Sequence, residues 1–356
     1  MPDGGAKRSA GKPAAKSSAA KRAARPDAGT PARKSGPAKP ARTSALAAAR
    51  AAAAEPGGTD AGFRPAPGSN GGAARLGVRK TYKLFIGGAF PRSESGRSYP
   101  VTDPGGALLA QAAQASRKDA RDAVVAARGA FGGWSGATAY NRGQVLYRVA
   151  ELLEGRRLQF AAEIVQGEGL DLSAADDQVA RAIDRWVWYA GWPDKVAQVA
   201  GAANQVAGPY FNFSMPEPTG VVAVVAPAGS SLLGLVSVMA PVIATGNTAV
   251  VVASEDRPLP GVTLTEVLAT SDVPPGVVNV LTGRAAELAP VLAAHMDVNA
   301  IDLSGVALAA RAELERLAAG NVKRVFAADE DWAEPPGLRR LLAFLETKTV
   351  WHPVGI

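Results

Sequence analysis

The chain has 356 residues, 47% of them hydrophobic, a net charge of +7 from 39 Lys+Arg against 32 Asp+Glu, and no cysteine. The missing thiol excludes disulfides, zinc-thiolate sites and a cysteine nucleophile. No run of eighteen apolar residues lacks a polar break, which leaves no candidate membrane span, and MPDGGAKRS at the start has no apolar core of a secretory signal.

Charge divides the chain unevenly. Residues 1–80 hold 16 Lys+Arg and 4 Asp+Glu, a net of +12, which leaves 23 and 28, a net of −5, for the remainder. The first segment is mostly Ala, Gly, Pro, Ser, Lys and Arg, with Phe63 its one aromatic, and predicts a disordered basic tail over 1–80. Two readings stand for it: a tether that binds nucleic acid or another polyanion without reading sequence, and a plain solubilising linker. Ala propensity predicts a short helix over Ser44–Glu55, capped by Ser44 and ended by Pro56 and Gly57. The acid-poor composition also fits an organellar transit peptide; the reading kept is a cytoplasmic chain.

From Tyr82 the composition becomes that of a globular domain. YKLFIGGAF (82–90) predicts a strand turning at Gly87–Gly88 and a hairpin continuing into SGRSYPVTDP. The segment from Arg117 has helical spacing, with Ala123, Val124, Ala127 and Phe131 on one face. Residues 141–169 predict two more helices around Val145, Leu146, Val149, Leu152 and Leu153. The next helix ends in Trp186, Trp188, Tyr189 and Trp192, aromatics that fit a core or a subunit contact. GPYFNFSMPEP then alternates Tyr210, Asn212 and Ser214 against Phe211, Phe213 and Met215, as a two-faced strand does.

VVAVVAP, NTAVVVAS, VVNVLTG and NAIDLSG, separated by helical segments, predict strands buried on both faces. Successive βα units give an α/β, doubly wound, Rossmann-like domain with right-handed crossovers. Ligands of such sheets lie beyond the strand carboxyl ends. The candidate positions are therefore 226–231, 253–256, 282–284 and 303–306, where TGR and SG could approach a phosphate through backbone N–H groups.

AYNRGQVLYRVAELLEGRR, WYAGWPDK, GPYFNFSMPEPTGVVAVVAP, APVIATGNTAV and PPGVVNVLTG, in this order from Tyr82 to about Val325, resemble the aldehyde dehydrogenase superfamily, and ETKTVWHPVG (346–355) looks like the end of the same fold. The wording is nearest to the non-catalytic second copy of two-copy members, or to a companion subunit.

The resemblance implies domains at 81–328, coenzyme-binding-like and including a bridging strand at 209–216; at 329–345, a short bypass in place of the catalytic domain; and at 346–356, an oligomerisation strand. It also implies losses. The oxyanion Asn of the family's Pro-Trp-Asn is replaced within Pro227, Ala228, Gly229, and its ribose Lys by Val252. The general-base Glu aligns with Ala328, and the nucleophilic Cys does not exist. No catalytic residue and no metal site is assigned; His295 and His352, possible replacement bases, have no recognisable partner. What could still touch NAD(P) is Pro227, Glu255, Ser304 and Gly305, with a degenerate, empty-handed cleft as the alternative. Phe211, Phe213, Val350 and Trp351 are the interface residues that the resemblance implies. The functional reading is a catalytically dead partner subunit of a complete aldehyde dehydrogenase, or of itself. The alternatives are an NAD(P)-dependent oxidoreductase and a scaffold tethered to polyanions through 1–80.

Overall fold

The computed structural model describes residues 79–355. The helix expected over Ser44–Glu55 and nearly all of the basic tail lie outside the described residues. Arg79 and Lys80 are tied to the body, through the Leu108 carbonyl and Glu266 respectively.

Three short strands open the body: β1 (Thr81–Tyr82), β2 (Ser98–Thr102) and β3 (Leu108–Ala113), with β3 in the middle, parallel to β1 and antiparallel to β2. The expected hairpin forms but does not continue into SGRSYPVTDP. Gly87 and Gly88 do make the turn, both at positive φ, but the N–H and C=O of Phe85 pair with Val280 at the edge of the main sheet. The segment closes that edge as a short hairpin, Ile86 pairing with Ala89 and the Leu84 N–H donating to the Pro91 carbonyl at 3.1 Å, while β2 pairs with β3 instead.

Four helices follow: α1 (Arg117–Gly136), α2 (Ala139–Gly155), α3 (Arg157–Glu168) and α4 (Leu172–Ala190). Ser116 caps α1 in a reciprocal box with Asp119, which fixes its start. Ala123, Val124 and Ala127 are buried, but Phe131 is only partly covered. Trp134 is the buried aromatic of this helix because its indole N–H finds the Ile243 carbonyl at 2.9 Å. Trp186 and Tyr189 are core residues, with Trp188 packed against both Tyr189 and Trp192.

A short helix α5 (Val196–Ala200) leads to β4 (Ala202–Asn204) and β5 (Tyr210–Pro218). The main sheet then begins: β6 (Val221–Val225), α6 (Leu233–Ala244), β7 (Thr248–Val252), α7 (Leu259–Thr270), β8 (Val278–Leu281), α8 (Ala285–Ala294), β9 (Ala300–Asp302), α9 (Leu308–Ala318) and β10 (Arg324–Phe326). All five strands are parallel, in the order β10-β9-β6-β7-β8. This is an α/β sheet with a switch point between β6 and β9, where the chain reverses its direction of winding.

Alternation along β6 serves both layers. Val222 and Val224 face the core shared with α2, α3, α4 and α6, whereas Val221, Ala223 and Val225 face that of α1, α8 and α9. Every residue of α6 is buried, which explains its unbroken apolar sequence. No helix among the described residues is long and apolar enough to cross a membrane.

After β10 the chain passes through α10 (Leu338–Ala343) into β11 (Leu345–Pro353). Leu341 and Phe344 enter the main core, and the Phe344 carbonyl accepts from the Asn247 amide at 2.9 Å and from the Thr219 N–H at 3.2 Å. The segment therefore crosses from the carboxyl end of the sheet to its amino end, where β11 pairs antiparallel with β5. The second sheet has the order β11-β5-β4, so β11 is an edge strand.

Candidate functional site

The switch point opens into a cleft of about 700 Å³ between the ends of β6 and β9, walled on its far side by the segment after β10. Pro227 and Ala228 come from the first strand end, Ser304 and Gly305 from the second, and Ala328 from the third. Three of the four residues assigned to cofactor contact thus meet here: Pro227, Ser304 and Gly305.

Their polar groups are already engaged. The Gly305 N–H donates to the Val225 carbonyl at 3.1 Å, and a Cβ at this position would come within 2.2 Å of the Ala226 carbonyl oxygen. Close approach of two backbones requires glycine here. The Ser304 N–H donates to Asp302 at 2.9 Å, while its hydroxyl accepts from Arg340 at 3.0 Å and the Ala328 N–H at 3.4 Å.

Arg340, on α10, is the centre of the arrangement. It is 3% exposed and pairs with the fully buried Asp302 and with Glu330, while its guanidinium lies over the rings of Phe326 (4.7 Å) and Trp332 (5.4 Å). Burial pushes the Asp302 carboxyl up, and the Arg340 charge pulls it the other way. A second buried arginine, Arg185 of α4, donates to Ser237 at 2.9 Å and to the carbonyls of Trp332 (2.6 Å) and Glu334. Neither was foreseen. RRLLAFL shows an apolar turn beside two arginines, but nothing in it says that Arg340 is the buried one.

The turn after β6 is likewise closed on itself. Ser230 Oγ accepts from the Gly234 N–H at 2.9 Å. Ser231 gives its N–H (2.9 Å) and hydroxyl (2.6 Å) to Glu168, whose side chain is only 3% exposed. The Ala228 and Gly229 carbonyls accept from Ser254 and Arg257.

Glu255 is not in the cleft. Its carboxylate pairs with Arg284 and accepts from the Ala285 N–H at 3.2 Å, capping α8. Glu255 follows β7, which lies on the other side of β6 from β9. The 282–284 turn serves packing, since Thr282 donates to the Ala113 carbonyl and accepts from the Ala115 N–H. His295 accepts from the Asp297 N–H at 3.2 Å, and His352 lies exposed on β11, so neither reaches the cleft.

The assigned interface residues are brought to one sheet but not to one face. In register, Val350 lies opposite Phe213 and Trp351 opposite Asn212. Successive residues of a strand point to opposite sides, so Phe211, Phe213 and Val350 share one face and Trp351 occupies the other, its ring 5.8 Å from that of Tyr210. Asn212, on the Trp351 side, is 3% exposed and accepts from Asn204 at 2.5 Å, whereas Phe211 is 52% exposed. Hydrogen bonding here outranks apolar alternation as the guide to the inner face.

The model of the "Aldehyde dehydrogenase family" matches residues 90–328. An aldehyde dehydrogenase of Davidiella tassiana is 32% identical over 244 residues, 68% of this chain and 49% of that protein. The cytosolic 10-formyltetrahydrofolate dehydrogenase of Mus musculus is 33% identical over 261 residues, 70% of this chain and 28% of that one. Among solved structures, the NAD+ complex of an aldehyde dehydrogenase from Bacillus cereus superposes with a TM-score of 0.66 at 28% identity, over 70% of this chain and 50% of that chain. HpcC from Thermus thermophilus gives 0.66 at 31% identity, over 70% and 48%. The chain spans about half the length of these relatives, or less.

Proposed function

This chain belongs to the aldehyde dehydrogenase family, and from that premise we propose that it is a non-catalytic member that works as a partner subunit, joining a complete aldehyde dehydrogenase or a second copy of itself through the β4-β5-β11 sheet. The observation that carries the reading is the nine-residue pairing of β11 with β5. It is retained while the residues that the resemblance assigns to nucleophile, general base and oxyanion donor are absent or replaced.

Aldehyde oxidation in the family's manner needs a thiolate to attack the carbonyl and a carboxylate to activate the water that releases the acid. The 356 residues hold no thiol, and Ala328 offers no base. At Ala228 and Gly229 there is no side-chain donor to a developing oxyanion. The sheet, by contrast, has what assembly by strand addition uses: an edge strand, exposed aromatics in Tyr210 (46%), Phe211 (52%) and Trp351 (58%), and a part-buried Asn204–Asn212 bond that joins β4 to β5.

Two assays test the two halves of the proposal. The full chain, incubated with NAD(P) and a panel of aldehydes, is expected to form no reduced cofactor; turnover would restore the oxidoreductase alternative. In sedimentation, the full chain alone and mixed with a complete family member of its own genome is expected to show a species larger than the monomer. A monomer in both runs removes the partner role.

A further inference from the structure

We infer that the chain's own segment 327–344 walls the carboxyl end of the parallel sheet as a built-in plug, pinned from behind by Arg340 on Asp302 and Glu330, so that this cleft does not take the dinucleotide its family implies. The inference rests on the geometry of the cleft and stands whether or not the chain joins a partner.

A dinucleotide needs donors for its pyrophosphate, an acceptor for a ribose hydroxyl, and a potential that favours anions. The Gly305 and Ser304 groups at the strand ends are already taken, and the carboxylates that could accept from a ribose lie in a lining whose charge opposes the pyrophosphate. The Gly305 N–H belongs to Val225, and the Ser304 hydroxyl is held by Arg340 and the Ala328 N–H. Glu255, the acidic residue that the resemblance sets near the ribose, lies outside this cleft and is held by Arg284 and the start of α8.

The electrostatics point the same way. The lining carries Asp329, Glu330 and Asp331 against a single guanidinium, Arg311, which is itself paired with Asp329 at 2.6 Å. Arg340 could have balanced them, but it sits behind the wall, shared between Asp302 and Glu330. An incoming pyrophosphate would face the plug's carboxylates with no uncommitted cation among the described lining residues.

The plug is a packed element and not a loose connection. Leu341 and Phe344 are in the main core, Phe326 meets Phe344 edge to face at 6.0 Å, and Arg185 holds the carbonyls of Trp332 and Glu334 from the α4 side. Asp302 and Arg340 bury opposite charges at the end of β9, where Asp302 without Arg340 would be left uncompensated.

The test uses the full chain and Trp332, which lines the cleft, as reporter. NADH and NADPH are titrated to about 1 mM, the weak end of ordinary ligand affinities, following tryptophan quenching and nicotinamide emission. No saturable change is expected, and no rise in melting temperature with either nucleotide. Saturable binding by the unmodified chain overturns the inference. Arg340→Ala is then melted beside the unmodified chain. The expected loss is on the order of 10 °C, because Asp302 is stranded and the plug is released. An unchanged melting temperature for Arg340→Ala also overturns the inference, since a segment that can be unpinned at no cost is not a plug.

Discussion

Gly305 shows how little freedom the cleft's inner wall has. With the Ala226 carbonyl oxygen 2.2 Å from any Cβ placed there, Gly305→Ala has to push β6 and β9 apart. The expected cost is about 1–3 kcal/mol, read as a fall in the urea midpoint; an unchanged midpoint would mean that the two strand ends are less tightly joined than described. Glu163 is a different kind of constraint. It accepts from Thr263 at 2.8 Å and from Gln159 at 3.5 Å, its Oε2 has no partner, and burial pushes its carboxyl above the ordinary range against the pull of those two bonds. Nearby Tyr82 is pushed up to about 12, first by burial and then by the Glu163 charge. A carboxyl whose folded value is raised stabilises fully below its unfolded value, and loses that contribution as pH rises through the folded value. Glu163→Gln is therefore expected to melt like the unmodified chain below about pH 4, where both forms are neutral. Near neutrality it is expected to melt roughly 2–4 °C higher, having no charge to bury. A lower melting temperature at neutral pH would contradict this account of Glu163.

At the scale of elements, the joints that matter are α10 and the β5-β11 pair. Arg185→Met keeps the apolar stem but leaves Ser237 and the carbonyls of Trp332 and Glu334 without their shared donor. A loss of about 2–4 kcal/mol in denaturant melts is expected, with earlier proteolysis in 329–337 than elsewhere. Phe211→Asp, at a half-exposed position, is expected to leave stability within about 0.5 kcal/mol while abolishing association. Strands β6 to β9 were legible because their apolar runs can only be buried on both faces. Helix α9 and strand β10 were not, since only Leu314 and Ala318 of α9 are buried and Arg324 and Val325 of β10 are exposed. The same limit hid the inner face of β5, where the Asn204–Asn212 bond decides the orientation. It also hid the plug, because a buried arginine in RRLLAFL looks like a surface charge until Asp302 is brought to it by the fold.

For the whole molecule, the body and the basic segment invite separate measurements. If the net +12 of residues 1–80 serves as a polyanion tether, retention of the full chain on duplex DNA is expected to fall linearly as log affinity against log salt. No retention even at low salt leaves the linker reading. The larger claim is that this family member has exchanged chemistry for assembly, and it is tested most directly by size-exclusion chromatography with light scattering. The full chain is run alone, with a complete aldehyde dehydrogenase of its own genome, and again as Phe211→Asp. The account predicts a stoichiometric complex, with that enzyme or with a second copy, that the aspartate abolishes without unfolding the chain. A chain that elutes as a monomer alone and apart from the enzyme in the mixture contradicts it.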